Sequence, residues 1–173
     1  MSVSLILLEI VNADAKGDVT VTGAADQIAV ESFSWGVGAE VTDKTGSDPK
    51  PNIKPQNLQL KKQFDGATTS LSTLMQKDDS FDAVLRFIDP SSQASGNPPK
   101  YESVLEIELK QCHIESITLG ASETGKSINL SESIVISFEQ SITFSYRTYS
   151  PITRRRAAAK PETIFPSGGT GSA

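Results

Sequence analysis

From Ile134 to Tyr146 the chain alternates with a period of two. Ile134, Ile136, Phe138, Ile142, Phe144 and Tyr146 fall on one side with only Gln140 among them, while Ser133, Ser137, Glu139, Ser141, Thr143, Ser145 and Arg147 fall on the other with only Val135. This spacing sends alternate side chains to one face of a sheet and cannot form a helical stripe. At roughly 3.3 Å per residue the run would reach about 45 Å, long for one strand, so a bend is expected near Glu139 to Ser141.

The segment from Tyr101 to Leu119 also reads as a strand, with Leu105, Ile107 and Leu109 on one face and Glu102, Glu106, Glu108 and Lys110 on the other. Its apolar phase slips by one at Cys112 and Ile114 and returns at Ile117 and Leu119, which predicts a β-bulge. A second slip separates Ile28 and Val30 from Phe33, Trp35 and Val37, and predicts another bulge. Two bulges imply a strongly curved sheet. Val3 to Ile10 is apolar without clean alternation, the pattern of a central strand covered on both faces. Further strands fit Asn57 to Phe64 and Ser80 to Ile88. Between them Ala67, Leu71, Leu74 and Met75 form a narrow helical stripe, with Asp65 or Thr68 placed to cap its start. The fold expected from the residues is mainly β with one short α-helix.

The body covers residues 1–150. Two stretches punctuate it: Gly38 to Pro55, rich in proline and charge, reads as a long loop, and Pro90 to Pro99 as a shorter one. Residues 151–173 form a tail that is first basic and then rich in Gly and Ser. The first 150 residues carry 12 Lys and Arg against 20 Asp and Glu, and the remainder 4 against 1, so the tail is expected to dock on the acidic body or to stay flexible.

Composition removes several functions. With 173 residues and a net charge of −5, the chain is one acidic domain, and a nucleic acid is not an expected partner because such binding rests on clustered Lys and Arg. The lone Cys112 and the lone His113 exclude an intrachain disulfide and a Cys/His metal cluster, leaving open only an all-carboxylate calcium or magnesium site. The apolar start lacks a basic n-region and is interrupted by Glu9, so no secretory signal is read there, and no run is long enough for membrane insertion. The product is expected to fold in the cytoplasm.

No catalytic constellation emerges. A nucleophilic triad could use only His113, and neighbours such as Cys112 and His113 point to opposite faces of a strand. Asp78, Asp79 and Asp82 lack the spacing of a calcium loop and fit a cap between helix and strand, while Glu102, Glu106 and Glu108 fit a solvated or inter-subunit face. Gly36-Val37-Gly38 is too short for a phosphate loop. No catalysis, cofactor or metal is expected.

Four segments in order resemble the haemolysin-coregulated protein (Hcp) family, which forms the tube of bacterial type VI secretion systems. They are the N-terminal strand with Gly17-Asp18, then Ser32-Phe33-Ser34-Trp35-Gly36, then Leu58 to Asp65 running into a small-residue helix start and Leu71, and last the long strands Tyr101 to Leu119 and Leu130 to Tyr146 with Glu132 opening the second. The resemblance spans about residues 3–149. Ala67-Thr68-Thr69 stands where the family often has Ala-Ser-Pro, and 23–27 lacks a histidine frequent in the family.

The resemblance implies a curved antiparallel β-barrel with a flanking helix, assembling as a homo-hexameric ring. Rings would stack into a tube that meets contractile sheath and spike proteins and carries small effector proteins, assembled in the cytoplasm and secreted without a signal peptide. It also suggests that Ser32 and Ser34 face the lumen and touch cargo. Lys44, Asp48, Lys50 and Lys54 would lie on a ring-stacking loop, and Arg154, Arg155 and Arg156 would make the tail contacts. The alternative is a non-catalytic β-sandwich binding module, for example carbohydrate-binding. It would need exposed aromatics, which are only 6% of the chain and mostly in phase with core positions.

Overall fold

The structure, a computed structural model, describes residues 5–21, 23–40, 52–94, 100–150 and 155–166. Its strands are β1 (Leu5–Ile10), β2 (Ile28–Val30), β3 (Ser32–Ser34), β4 (Val37–Glu40), β5 (Asn52–Pro55) and β6 (Leu58–Gln63), then β7 (Phe81–Ala94), β8 (Lys100–Thr124), β9 (Ser127–Tyr146), β10 (Tyr149–Ser150), β11 (Arg155–Arg156) and β12 (Lys160–Pro166). One helix, α1 (Ala67–Lys77), lies between β6 and β7.

Eight strands make one antiparallel sheet in the order β2-β1-β7-β8-β9-β6-β3, with β12 also on β9. The same edge of β9 holds β6 along Ser131 to Ile136 and β12 along Ser141 to Tyr146, which is why a strand of this length is used in full. The two ends of the sheet, β2 and β3, are consecutive in the chain and separated only by Glu31. The sheet therefore curls until its edges meet at that residue, whose N–H donates to the Lys61 carbonyl at 2.8 Å. The phase slip at this point, expected to be a bulge, is instead a corner where the chain leaves one edge of the sheet and joins the other. No ladder joins β2 to β3, so the sheet is strongly curled and not a hydrogen-bonded closed barrel; the chain at Glu31 links its two edges.

The slips in β8 are irregularities of the expected kind. Its ladder with β9 shifts register between Lys110 and Cys112 and again between Ile114 and Ser116. Gln111 sits in the left-handed region (φ 52°), and the expected bend at Glu139 to Ser141 lies directly across from it. Asp82 holds this kink: its Oδ1 accepts from the Gln111 N–H at 3.1 Å and its Oδ2 from the Lys110 ammonium at 3.0 Å.

Side chains directed inward form the main core, including Leu8, Ile28, Leu58, Phe81, Leu85, Ile107, Leu109, Ile134 and Ile136. On the other face of β1, Leu7 packs with Ala24 and Ile88 beneath Val19 and Val21. This second cluster accounts for the missing alternation in the first strand. The segment that covers it comes close at Gly17, where a Cβ would lie 2.4 Å from the Gln27 carbonyl oxygen and 2.7 Å from the Ile28 Cα. Only glycine fits against backbone at that distance.

Two expected loops are partly strand. Val37–Glu40 and Asn52–Pro55 pair across the stretch expected to be a long loop, with Val37 opposite Pro55 and Glu40 opposite Asn52. The Pro90 to Pro99 loop shortens because β7 runs on to Ala94 and pairs with Lys100 and Tyr101. Beyond Pro151, β11 pairs with β10 and β12 adds to the main sheet, so part of the expected tail is sheet.

Candidate self-assembly surfaces

Several titratable groups are tied into structure. Lys62 and Glu132 face each other across β6 and β9 and are almost fully buried, at 1% and 0% exposure. The Lys62 ammonium lies 3.2 Å from Glu132 Oε2 and 2.6 Å from Asp65 Oδ1, and donates to the Gln63 carbonyl at 2.9 Å. Thr68 Oγ1 donates to Glu132 Oε1 and accepts from the Asp65 N–H, while Asp65 Oδ1 accepts from the Ala67 N–H. The N-cap position itself is Gly66, without a side-chain cap bond; of the two residues expected as caps, Asp65 reaches the first helical N–H while Thr68 lies inside the helix and bonds Glu132, and Asp18 Oδ2 adds a bond from the Gly66 N–H at 3.2 Å. This cluster joins the helix start to the sheet; one buried cation holds two carboxylates.

The acidic face of β8 is paired in the same way. Arg86 bonds Glu9 and lies 4.0 Å from Glu106, and Lys110 reaches Glu108 at 2.7 Å as well as Asp82. Burial works against the charge on Asp82, but the Gln111 amide and the Lys110 ammonium together hold its carboxyl below the ordinary value. Hydrogen bonds to Glu108 and Asp82 raise Lys110. Asp78, in the left-handed conformation, ends α1 and accepts the approach of His113 Nδ1 at 3.1 Å. Cys112, on the opposite face, is buried among apolar groups, and burial pushes its thiol up to about 12. Among the described residues, no group of three His, Cys, Asp or Glu is placed to hold a metal.

The predicted surface residues fall in separate places. Ser32 and Ser34 are exposed on β3, opposite Lys61 and Gln59 of β6, while Phe33 packs edge-on against Phe87 at 4.9 Å and Trp35 against Phe144 at 5.5 Å. The alternation read from the sequence is the one found. Lys54 is exposed on β5 opposite Gly38, and Lys44, Asp48 and Lys50 lie outside the described residues. Arg155 and Arg156 form β11 opposite Ser150 and Tyr149, and Arg154 lies outside the described residues. The strand that follows them is seated by its ladder with β9 and by a bond between Thr143 and Thr163 hydroxyls at 2.9 Å.

A further surface was missed in the sequence. Past Gly120 and Ser131, where β6 ends, β8 and β9 run on beyond the barrel as a two-stranded arm that turns at Gly125 (φ 67°) and Lys126. On the face continuous with the core it carries Ile128 and Leu130, exposed by 72 and 52%; Leu119, exposed by 60%, and Phe64, whose N–H donates to the Leu130 carbonyl, lie at its root. The signal was present, because Ile128 and Leu130 extend the even-numbered apolar phase of the last strand. The arm also spells Gly-x-x-x-x-Gly-Lys-Ser over Gly120 to Ser127, the pattern of a nucleotide phosphate loop, which sequence reasoning passed over. Here it is strand, turn and strand, with Gly120 opposite Ser131 and Thr124 opposite Ser127, and no helix follows to point its N-terminus at a phosphate.

The family model described as "Type VI secretion system effector, Hcp" matches residues 8–148. The chain belongs to the Hcp family. A solved type six secretion system protein superposes with a TM-score of 0.72 at 18% identity, covering 92% of this chain and 93% of its own. Hcp1 and Hcp2 from Salmonella typhimurium superpose with TM-scores of 0.64 and 0.65 at 18% and 15% identity, covering 90% and 96% of this chain and 100% and 98% of their own. Among curated proteins no relative matches. The Hcp membership and the single curled sheet agree with the mainly β, barrel-like fold expected from the sequence.

Proposed function

We propose that this Hcp-family chain is a structural subunit whose six copies close into a ring, and that rings stack into the inner tube of a type VI secretion system. The observation that carries the reading is the family match over residues 8–148, joined to a surface that a single copy leaves incomplete. The arm exposes apolar side chains on one face, and its strands have open lateral edges beyond the barrel, which neighbouring copies would cover. Carboxylates engaged with Lys62, Arg86 and Lys110, and a buried unreactive thiol, favour a structural role over catalysis.

In this reading Ser32 and Ser34 line the lumen, where a small polar surface suits small effector proteins. The segment containing Lys44, Asp48, Lys50 and Lys54 meets the next ring, and Arg154, Arg155 and Arg156 contact the acidic surface of the body or of a neighbour. Sheath and spike proteins contact the assembled tube. The subunit assembles in the cytoplasm and leaves through the apparatus. Light scattering should give a single species near six times 18.5 kDa, and negative-stain microscopy should show rings and open-ended tubes. A chain that stays monomeric at high concentration would sink the proposal.

A further inference from the structure

Among the described residues, a projecting element and a recess carry charges that complement each other. The arm runs from Ala121 to Thr124 and back from Ser127 to Leu130, a reach of about 13 Å at the rise of a strand, and nothing among the described residues flanks its tip. Lys126 occupies the turn, and Glu123 lies on the apolar face directly across from Ile128. Neither makes an ion pair among the described residues, whereas Lys62, Arg86 and Lys110 all do. An isolated two-stranded ribbon is only marginally stable in water, and one carrying large apolar residues on one face gains from being covered.

The recess lies elsewhere on the same chain, where α1 passes the segment after β1. It is an open concavity of about 490 Å3 lined by Asp14, Ser70, Thr73, Leu74, Lys77 and Asp79 among others. Ser70, Thr73, Leu74 and Lys77 follow helical spacing and share one face of α1, so the wall is a regular helix surface. Leu74 supplies an apolar floor packed against the core, and two carboxylates and one ammonium stand at the rim. Asp14, Lys77 and Asp79 make no ion pair among the described residues.

We propose that the arm tip of one copy seats in the α1 recess of the adjacent copy in the ring, with Lys126 between Asp14 and Asp79, Glu123 toward Lys77, and Ile128 over Leu74. The proposal rests on the self-assembly reading and deepens it by naming the two surfaces that meet. A projection on one copy and a recess on the next make a head-to-tail contact, and such a contact closes into a ring when its rotation divides the circle. The occupant is a second copy because the charges of arm and recess are complementary: a cation for the two carboxylates, a carboxylate for the lone ammonium.

Disulfide trapping tests the contact in the full chain. The sequence has a single cysteine, Cys112, which is buried, so thiols introduced by Lys126→Cys and Thr73→Cys are the accessible pair. Mild oxidation of the double variant should give a ladder of covalent oligomers on a non-reducing gel that stops at six, while each single variant runs as a monomer. In parallel, Lys126→Glu and Asp79→Lys should each raise the protein concentration at half-assembly by about fivefold or more, and the double reversal should return it close to wild type. If wild-type rings form but no ladder appears and the reversals change nothing, the contact is wrong and the self-assembly reading stands. A ladder running past six would place the contact between rings and overturn its position within one. A wild-type chain that stays monomeric removes both readings together.

Discussion

Gly17 and Lys62 mark two different ways in which one side chain governs this fold. Gly17 is required by what surrounds it: a Cβ would collide with backbone atoms of Gln27 and Ile28, which cannot yield as a flexible side chain can. Gly17→Ala should therefore destabilise the protein by about 3 kcal/mol, the upper end for overpacking, seen as a lower denaturation midpoint with unchanged slope. Lys62 is held by its charge partners. Removing it alone, as in Lys62→Met, leaves Glu132 and Asp65 together without their cation, at a cost of about 3 to 5 kcal/mol. The double change Lys62→Met with Glu132→Leu should be milder than the single one, because apolar groups of similar volume can replace a buried ion pair. Urea unfolding of the three proteins checks the order, and a double variant weaker than Lys62→Met would contradict it.

The long hairpin of β8 and β9 shows how a local irregularity shapes a strand pair. The kink at Gln111 costs about 1 to 2 kcal/mol in a residue other than glycine, and Asp82 offsets that by accepting from its amide while holding Lys110. The pH dependence follows from the shifts. Asp82 is lowered from 3.8 in the folded protein, so its contribution is present above that value and is lost as pH falls through the folded pKa. Lys110 is raised from 10.5, so its contribution is present below that value and is lost as pH rises through the folded pKa. Asp82→Asn should flatten the fall in stability below about pH 4. It should also lower stability at neutral pH by about 1 to 2 kcal/mol through the weakened bond to Lys110, as thermal melts at pH 3 and pH 7 would show. An acid limb identical to wild type would mean that another carboxylate controls it.

Assembly draws these parts together, and the proposed lumen is its most direct readout. Ser32 and Ser34 are exposed while Phe33 and Trp35 anchor the same strand inward, so a change at Ser34 alters the surface without disturbing the core. Ser34→Gln should leave ring formation unchanged and lower the amount of co-purifying small protein by severalfold. Equal cargo in variant and wild type would move the cargo surface elsewhere. The arm obeys the opposite rule, since its exposed residues continue the core face. Leu130→Ser should leave the monomer as stable as wild type within about 0.5 kcal/mol, as expected of an exposed position, while weakening ring assembly in light scattering.

Much of this protein was legible in its sequence because period and parity are local properties. The strands of the body, the helix, the double phase slip of β8 and the inward direction of Phe33 and Trp35 all follow from which residues stand two or four apart. The isolation of Cys112 from His113 follows from parity as well. The loops were read too long, because proline and charge in 38–55 and 90–99 disfavour a central strand yet are compatible with the short ladder of β4 with β5 and the outer end of β7. The slip at Glu31 could not be told from a bulge, since both shift the apolar phase by one residue. Partner identity distinguishes them, and Ile28–Val30 pairs with β1 while Ser32–Ser34 pairs with β6 at the far edge of the sheet. Burial of Lys62 and Glu132 was equally hidden, because each is an ordinary polar residue on its own strand. Only the register that places them face to face beneath α1 makes them a buried pair. The exposure of Ile128 and Leu130 has the same origin: their phase says core, and the distance the hairpin travels beyond the barrel leaves them with no core to enter.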